Sequence, residues 1–163
     1  MSAPALAAAL VLGALAAAGA YLDLRYRRLP NWLCAAALFA GIGAGLAVHD
    51  GAWVGMALLH ALVALLVGMA LFAGRVIGAG DAKFYAAIAA WLPLEHGLVL
   101  LSAVSLSGLA VLAAWFPARR RVASAIGSAA NADDFKKVPY GIAIALGGVI
   151  AYLVTSSGSP LAL

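Results

Sequence analysis

The sequence has 163 residues, of which 66% are apolar and only 10% are charged. This composition excludes an ordinary soluble domain and a disordered chain, and it indicates a membrane protein. The net charge of +4 requires no nucleic-acid partner, because a basic rim beside anionic lipid headgroups accounts for it. The single cysteine, Cys34, excludes an internal disulfide and a cysteine-rich zinc site, and is most simply a buried apolar residue.

Apolar runs follow one another along the chain and predict a bundle of about six transmembrane helices. The runs are Ala3 to Leu22, Trp32 to Val48, Trp53 to Ala73, Val76 to Leu92, Gly97 to Phe116 and Pro139 to Val154. Polar residues interrupt the fourth run, so a loop that enters the membrane is an alternative there. We therefore expect an all-α polytopic fold in which residues 1–163 form a single domain.

The basic residues predict the orientation of this bundle. Because Lys and Arg near helix ends stay in the cytoplasm, connections one, three and five are expected inside and both termini outside. No Lys or Arg precedes the first run, so we expect a retained helix rather than a cleaved signal peptide. The connection over 117–138 is either a substrate-facing loop or a simple connector. The ten basic residues are Arg25, Arg27, Arg28, Arg75, Lys83, Arg119, Arg120, Arg121, Lys136 and Lys137.

Ionisable residues inside apolar runs are costly and therefore informative. Asp23 ends the first run, where it could simply pair with Arg27 one helical turn later. Asp81 follows the glycines of "GAGD" and could be an N-cap or first-turn carboxylate. His60 lies within the third run, and a neutral imidazole bonded to a neighbouring helix is favoured there over a metal ligand.

The predicted topology places Asp23 and Asp81 at one membrane depth, because the first run leaves and the fourth enters at the same side. If these helices pack together, the two carboxyl groups can share one proton and act as acid and base around one water. Gly78 and Gly80 would permit non-helical backbone and close approach of an extended substrate.

Three segments in order resemble the signatures of type IV prepilin peptidases: "DLRYRRLPN" from Asp23, "GAGDAKFY" from Gly78 and "VPYGIAIALGG" from Val138. The resemblance is closest to the short, single-domain form of tight-adherence (Flp) pilus systems. It implies a helical bundle with a GxGD aspartyl site in which Asp23 and Asp81 are the catalytic pair. The residues implied to support or line that site are Gly78, Gly80, Lys83, Pro30, Asn31, Pro139, Tyr140 and Gly141.

The resemblance implies removal of the leader peptide from a prepilin or pseudopilin at the cytoplasmic face of the bacterial inner membrane. The substrates of the family carry a short basic leader that ends in glycine before an apolar helix. No metal or other cofactor is expected. The cysteine-containing cytosolic domain that accompanies N-methylation in longer members has no counterpart here, so methylation is not expected. The alternatives are a small proton-coupled transporter or channel and a non-catalytic subunit of pilus assembly.

Overall fold

A computed structural model describes residues 2–126 and 138–157 of the chain. These residues form helices and connections, without strands, and the part from Leu94 to His96 is a single 3₁₀ turn. Four stretches of this described part are long and apolar enough to cross a membrane, namely Ala3–Tyr26, Asn31–Val48, Gly51–Ala73 and Leu94–Ala118. The prediction of an all-α polytopic membrane protein is therefore confirmed. The helices are α1 (Ala3–Tyr26), α2 (Asn31–Val48), α3 (Gly51–Ala73), α4 (Ala79–Ala89), α5 (Gly97–Ile126) and α6 (Tyr140–Ser156).

The fourth apolar run forms a helix shorter than a membrane crossing. With 11 residues, α4 is about 16 Å long, whereas the hydrocarbon core is about 30 Å thick. After α4 the chain turns through Pro93, and Gly97 at the start of α5 lies against the imidazole of His60 in α3. The chain thus enters the bundle through α4 and turns at the depth of His60, with α5 continuing from the turn.

His60 closes this turn. Its Nδ1 donates a 2.9 Å hydrogen bond to the backbone carbonyl oxygen of Leu92, and the imidazole is buried. A carbonyl beyond the end of a helix has no intrahelical donor, and in hydrocarbon it has no water either. The favoured interpretation of His60 as a hydrogen-bonded structural residue therefore agrees with the geometry.

The short helix α4 occupies the centre of the bundle. The side chain of Phe84 in α4 is almost fully buried, and so is that of Trp91 just after the helix. Trp91 Nε1 donates a 3.0 Å hydrogen bond to the Ala37 carbonyl oxygen in α2. The four helices around α4 each place a glycine against α4 or against the Trp91 side chain that follows it, which leaves room for close packing. The contacting pairs are Gly19 with Phe84, Gly41 with Trp91, Gly68 with Ala82 and Gly148 with Ile88.

Helix α5 continues beyond the apolar run that predicted it. The run ends at Phe116, but the helix passes Pro117 and ends at Ile126. Arginine and alanine are good helix formers, so the loss of hydrophobicity does not end the helix. The predicted connection over 117–138 therefore begins later than expected, and its remainder at 127–137 lies outside the described residues.

Candidate active site

Asp23 lies in the last turn of α1, where the chain is about to leave the helix. Arg27 adopts a left-handed conformation (φ 56°) and its N–H bonds to the Asp23 backbone carbonyl, which ends α1. The Asp23 side chain is turned into the bundle and only 8% exposed. A carboxyl group this deeply buried needs hydrogen-bond donors in place of water.

The N-terminus of α6 supplies those donors. The backbone N–H of Gly141 donates a 2.8 Å hydrogen bond to Asp23 Oδ2, and the nearby N–H of Ile142 contributes to the favourable field at this carboxyl group. The N-cap residue of α6 is Pro139, which has no side chain able to cap these donors. Asp23 therefore caps α6 from another helix, and the helix dipole stabilises the negative charge on Asp23.

Asp81 is the third residue of α4, and its carboxyl group lies beside the start of its own helix. Gly78 is the N-cap of α4 and provides no side-chain cap. Asp81 therefore stands at the position from which the third residue of a capping box reaches back to its N-cap residue. The interpretation of Asp81 as a first-turn carboxylate is thus right for its local structure.

The two carboxyl groups line one cavity of about 450 Å³ at the end of the bundle. They are near enough that the charge of Asp23 acts on Asp81. Asp23 is buried and Asp81 is partly buried, and ionising two neighbouring carboxyl groups together costs more free energy than ionising one. The cavity is lined by Asp23, Arg27, Arg28, Leu29, Pro30, Asn31, Gly78, Gly80 and Asp81.

A model of the type IV leader peptidase family matches residues 10–114. The chain belongs to this family. It is therefore a peptidase, and the family predicted from the three sequence segments is confirmed. Searches of curated proteins and of solved structures found no match. The matched residues include Asp23 and Asp81 but end before α6, so the contact between Gly141 and Asp23 comes from the tertiary structure.

Glycines of the peptidase give the two carboxyl groups room. A Cβ atom at Gly141 would lie 2.8 Å from Asp23 Oδ2, and one at Gly78 would lie 2.9 Å from Asp81 Oδ2. Gly80 differs, because its Cβ would meet Leu29 at an ordinary 3.4 Å. Gly78 has φ −74° and ψ 147°, which other residues adopt, and Gly80 is helical. Gly78 and Gly141 therefore provide space beside the carboxyl groups, whereas neither space nor a special conformation requires glycine at position 80.

Of the other residues predicted to support the site, some line the cavity or bond to a residue that does, and the rest lie at the start of α6. Pro30 and Asn31 line the cavity, and Lys83 Nζ donates a 3.1 Å hydrogen bond to Asn31 Oδ1. Pro139 is buried at the N-terminus of α6. Tyr140 is 55% exposed and is not among the residues that line the cavity.

The sequence did not single out Arg27 as a residue of the site. Arg27 lines the cavity, and its guanidinium lies over the Trp115 ring of α5, 4.6 Å from the ring centroid. Its positive charge also acts on Asp23. The spacing of four residues from Asp23 was the available signal, but the stacking on α5 is visible only in the folded chain.

Proposed function

We propose that this peptidase is a membrane-embedded aspartic endopeptidase that removes the leader peptide from prepilins or pseudopilins. Asp23 and Asp81 are its catalytic pair. One observation carries this proposal: carboxyl groups from α1 and α4 line a single cavity, and the Asp23 carboxyl group accepts a hydrogen bond from the backbone N–H of Gly141 at the N-terminus of α6. Family membership supports the leader-peptidase activity, and the geometry supports the residues.

The proposed reaction uses one proton shared by the two carboxyl groups. The ionised group takes a proton from a water molecule while the oxygen of that water attacks the scissile carbonyl carbon. The protonated group gives its proton to the carbonyl oxygen. When the C–N bond breaks, the proton held by the base passes to the leaving nitrogen, and the carbonyl re-forms as its oxygen returns a proton to the pair.

The position of the cavity agrees with hydrolysis near a membrane surface. It lies at the end of the bundle where α1 ends and where α2 and α4 begin, beside basic residues such as Arg28. By the positive-inside rule this end faces the cytoplasm of a bacterial inner membrane, and both termini face the periplasm. Water therefore reaches the carboxyl groups without crossing the hydrocarbon.

We also propose that the substrate is a prepilin of a tight-adherence (Flp) pilus system. A substrate with a basic leader and a following apolar helix places its cleavage point at the boundary between water and lipid. That is the level of the Asp23 and Asp81 cavity in the proposed orientation. The described residues offer no comparable support for a transporter or for a non-catalytic assembly subunit. The family is one of peptidases, which also favours the enzyme.

Substitution of each aspartate by asparagine tests the catalytic pair. Asp23→Asn and Asp81→Asn keep nearly the same volume but cannot complete the acid and base cycle, so cleavage is expected to fall by about 10²- to 10⁴-fold. The assay is cleavage of a synthetic prepilin peptide by purified enzyme in lipid nanodiscs, read by mass spectrometry. Near-parental turnover in either variant, with normal membrane insertion, would disprove the pair. The double variant is expected to be no worse than either single one.

A further inference from the structure

An apolar groove of about 490 Å³ opens on the side of the bundle between α2 and α3, and α4 forms part of its lining. Its α2 side presents Ala35 and Leu38, and its α3 side presents Leu58 and Leu62. Leu58 and Leu62 are 43% and 52% exposed, so this wall of the groove is accessible from outside the bundle. Small residues of α4, Ala86 and Ala87, lie beneath and leave the space between the two walls.

The groove and the aspartate cavity meet at a shared lining residue. Asn31 lines both, and Lys83, which bonds to Asn31, lines the groove. The groove therefore has one polar end, where it meets the cavity, while its remaining lining is almost entirely apolar. A ligand that crosses from the cavity into the groove must change from polar to apolar at Asn31.

The direction of the groove follows from the helices that line it. Asn31 is the first residue of α2, and Leu38 lies seven residues further along, which is about 10 Å from the cavity end toward the bundle interior. Lys83 and Ala87 of α4 follow the same direction. The apolar end thus lies deeper in the membrane than the two aspartates.

We infer that this groove binds the first two turns of the apolar segment that follows the cleavage point of the substrate. The inference rests on the proposed function and extends it to a substrate-binding surface. A polypeptide whose scissile bond lies between Asp23 and Asp81 has its next residues at Asn31, where the polar cavity ends. Its apolar residues then bury against Leu38, Leu58 and Leu62 instead of against lipid.

Filling the groove tests the inference through the substrate. Ala35 is exposed, so Ala35→Trp narrows the groove without crowding the core. The probes are two synthetic peptides with the same basic leader and cleavage point, one with the apolar segment and one truncated before it. With the long peptide, we expect Ala35→Trp to raise KM about tenfold. We also expect the factor by which kcat/KM falls to be at least about fivefold larger for the long peptide than for the truncated one. The matched control is Ala110→Trp, at an exposed position of α5 outside the groove.

Crosslinking identifies the occupant. In an enzyme with Cys34→Ala and Asp81→Asn, a cysteine introduced as Ala35→Cys is expected to form a disulfide with a cysteine four residues into the apolar segment of the long peptide. Ala110→Cys is expected to form none. If the parent enzyme cleaves both peptides but Ala35→Trp affects them equally and Ala35→Cys does not crosslink, the groove holds lipid and the inference is overturned. Failure of the parent to cleave either peptide would instead overturn the proposed function.

Discussion

The backbone N–H of Gly141 donates a 2.8 Å hydrogen bond to Asp23 Oδ2, which joins positions 118 residues apart. The bond places a carboxyl group of α1 at the N-terminus of α6, where it fulfils the role of the missing N-cap side chain. One contact therefore both caps the N-terminus of the last described helix and holds a proposed catalytic group in position.

Gly141→Ala is expected to displace Asp23 and reduce kcat at least about tenfold, since a misplaced catalytic group loses much of its effect. The added Cβ would lie within 2.9 Å of three Asp23 atoms. Alanine also favours helix over glycine, so α6 itself should persist. The measurement is kcat on a prepilin peptide together with thermal unfolding. Gly43→Ala is the matched control, because no atom lies within 4 Å of its added Cβ. An unchanged kcat in Gly141→Ala would show that the contact does not position Asp23.

Gly78→Ala and Gly80→Ala are expected to differ although both lie in "GAGD". The Cβ of the first would press on Asp81 Oδ2 at 2.9 Å, whereas that of the second makes an ordinary contact with Leu29. We therefore expect kcat to fall at least about tenfold in Gly78→Ala and clearly less in Gly80→Ala. Parallel kcat measurements on the two variants check this. An equal loss in both would indicate that substrate approach, and not the space around Asp81, sets the need for glycine.

His60→Leu is expected to lower stability without removing catalysis. The substitution leaves the Leu92 carbonyl without its donor inside the bundle, which costs about 1 to 3 kcal/mol. Thermal unfolding in detergent micelles measures the loss, and kcat well below the Tm is expected to be retained. Val67→Leu, at an exposed position of the same helix, is the control and should leave the Tm unchanged. Complete loss of kcat in a folded His60→Leu enzyme would mean that His60 takes part in the reaction.

The orientation of the bundle is expected to follow the positive-inside rule. Single cysteines at Ser159 and Ser128, in a protein with Cys34→Ser, test it by labelling with an impermeant thiol reagent in intact cells. We expect labelling at position 159 and none at position 128. The opposite pattern would place the Asp23 and Asp81 cavity on the other side of the membrane.

The sequence by itself determined the class of the fold and predicted which residues line the candidate site. Its hydropathy identified the long helices, because a helix that crosses a membrane must be apolar along its whole length. Asp23 and Asp81 stood out because a buried carboxyl group is costly, and the alternation of short connections was enough to bring them to one end of the bundle. The three segments then identified the family, which the family model confirmed.

Only the tertiary structure decided how those carboxyl groups are held and what lies beside them. The Gly141 N–H group comes to Asp23 from a helix more than a hundred residues away, and no local periodicity reports such a contact. The sequence marked the fourth run as irregular, but only the structure showed that it forms a short helix surrounded by the other helices. Finally, the groove beside Asn31 exists because the apolar walls of α2 and α3 stand apart over the small residues of α4, which is a property of packing and not of any single segment.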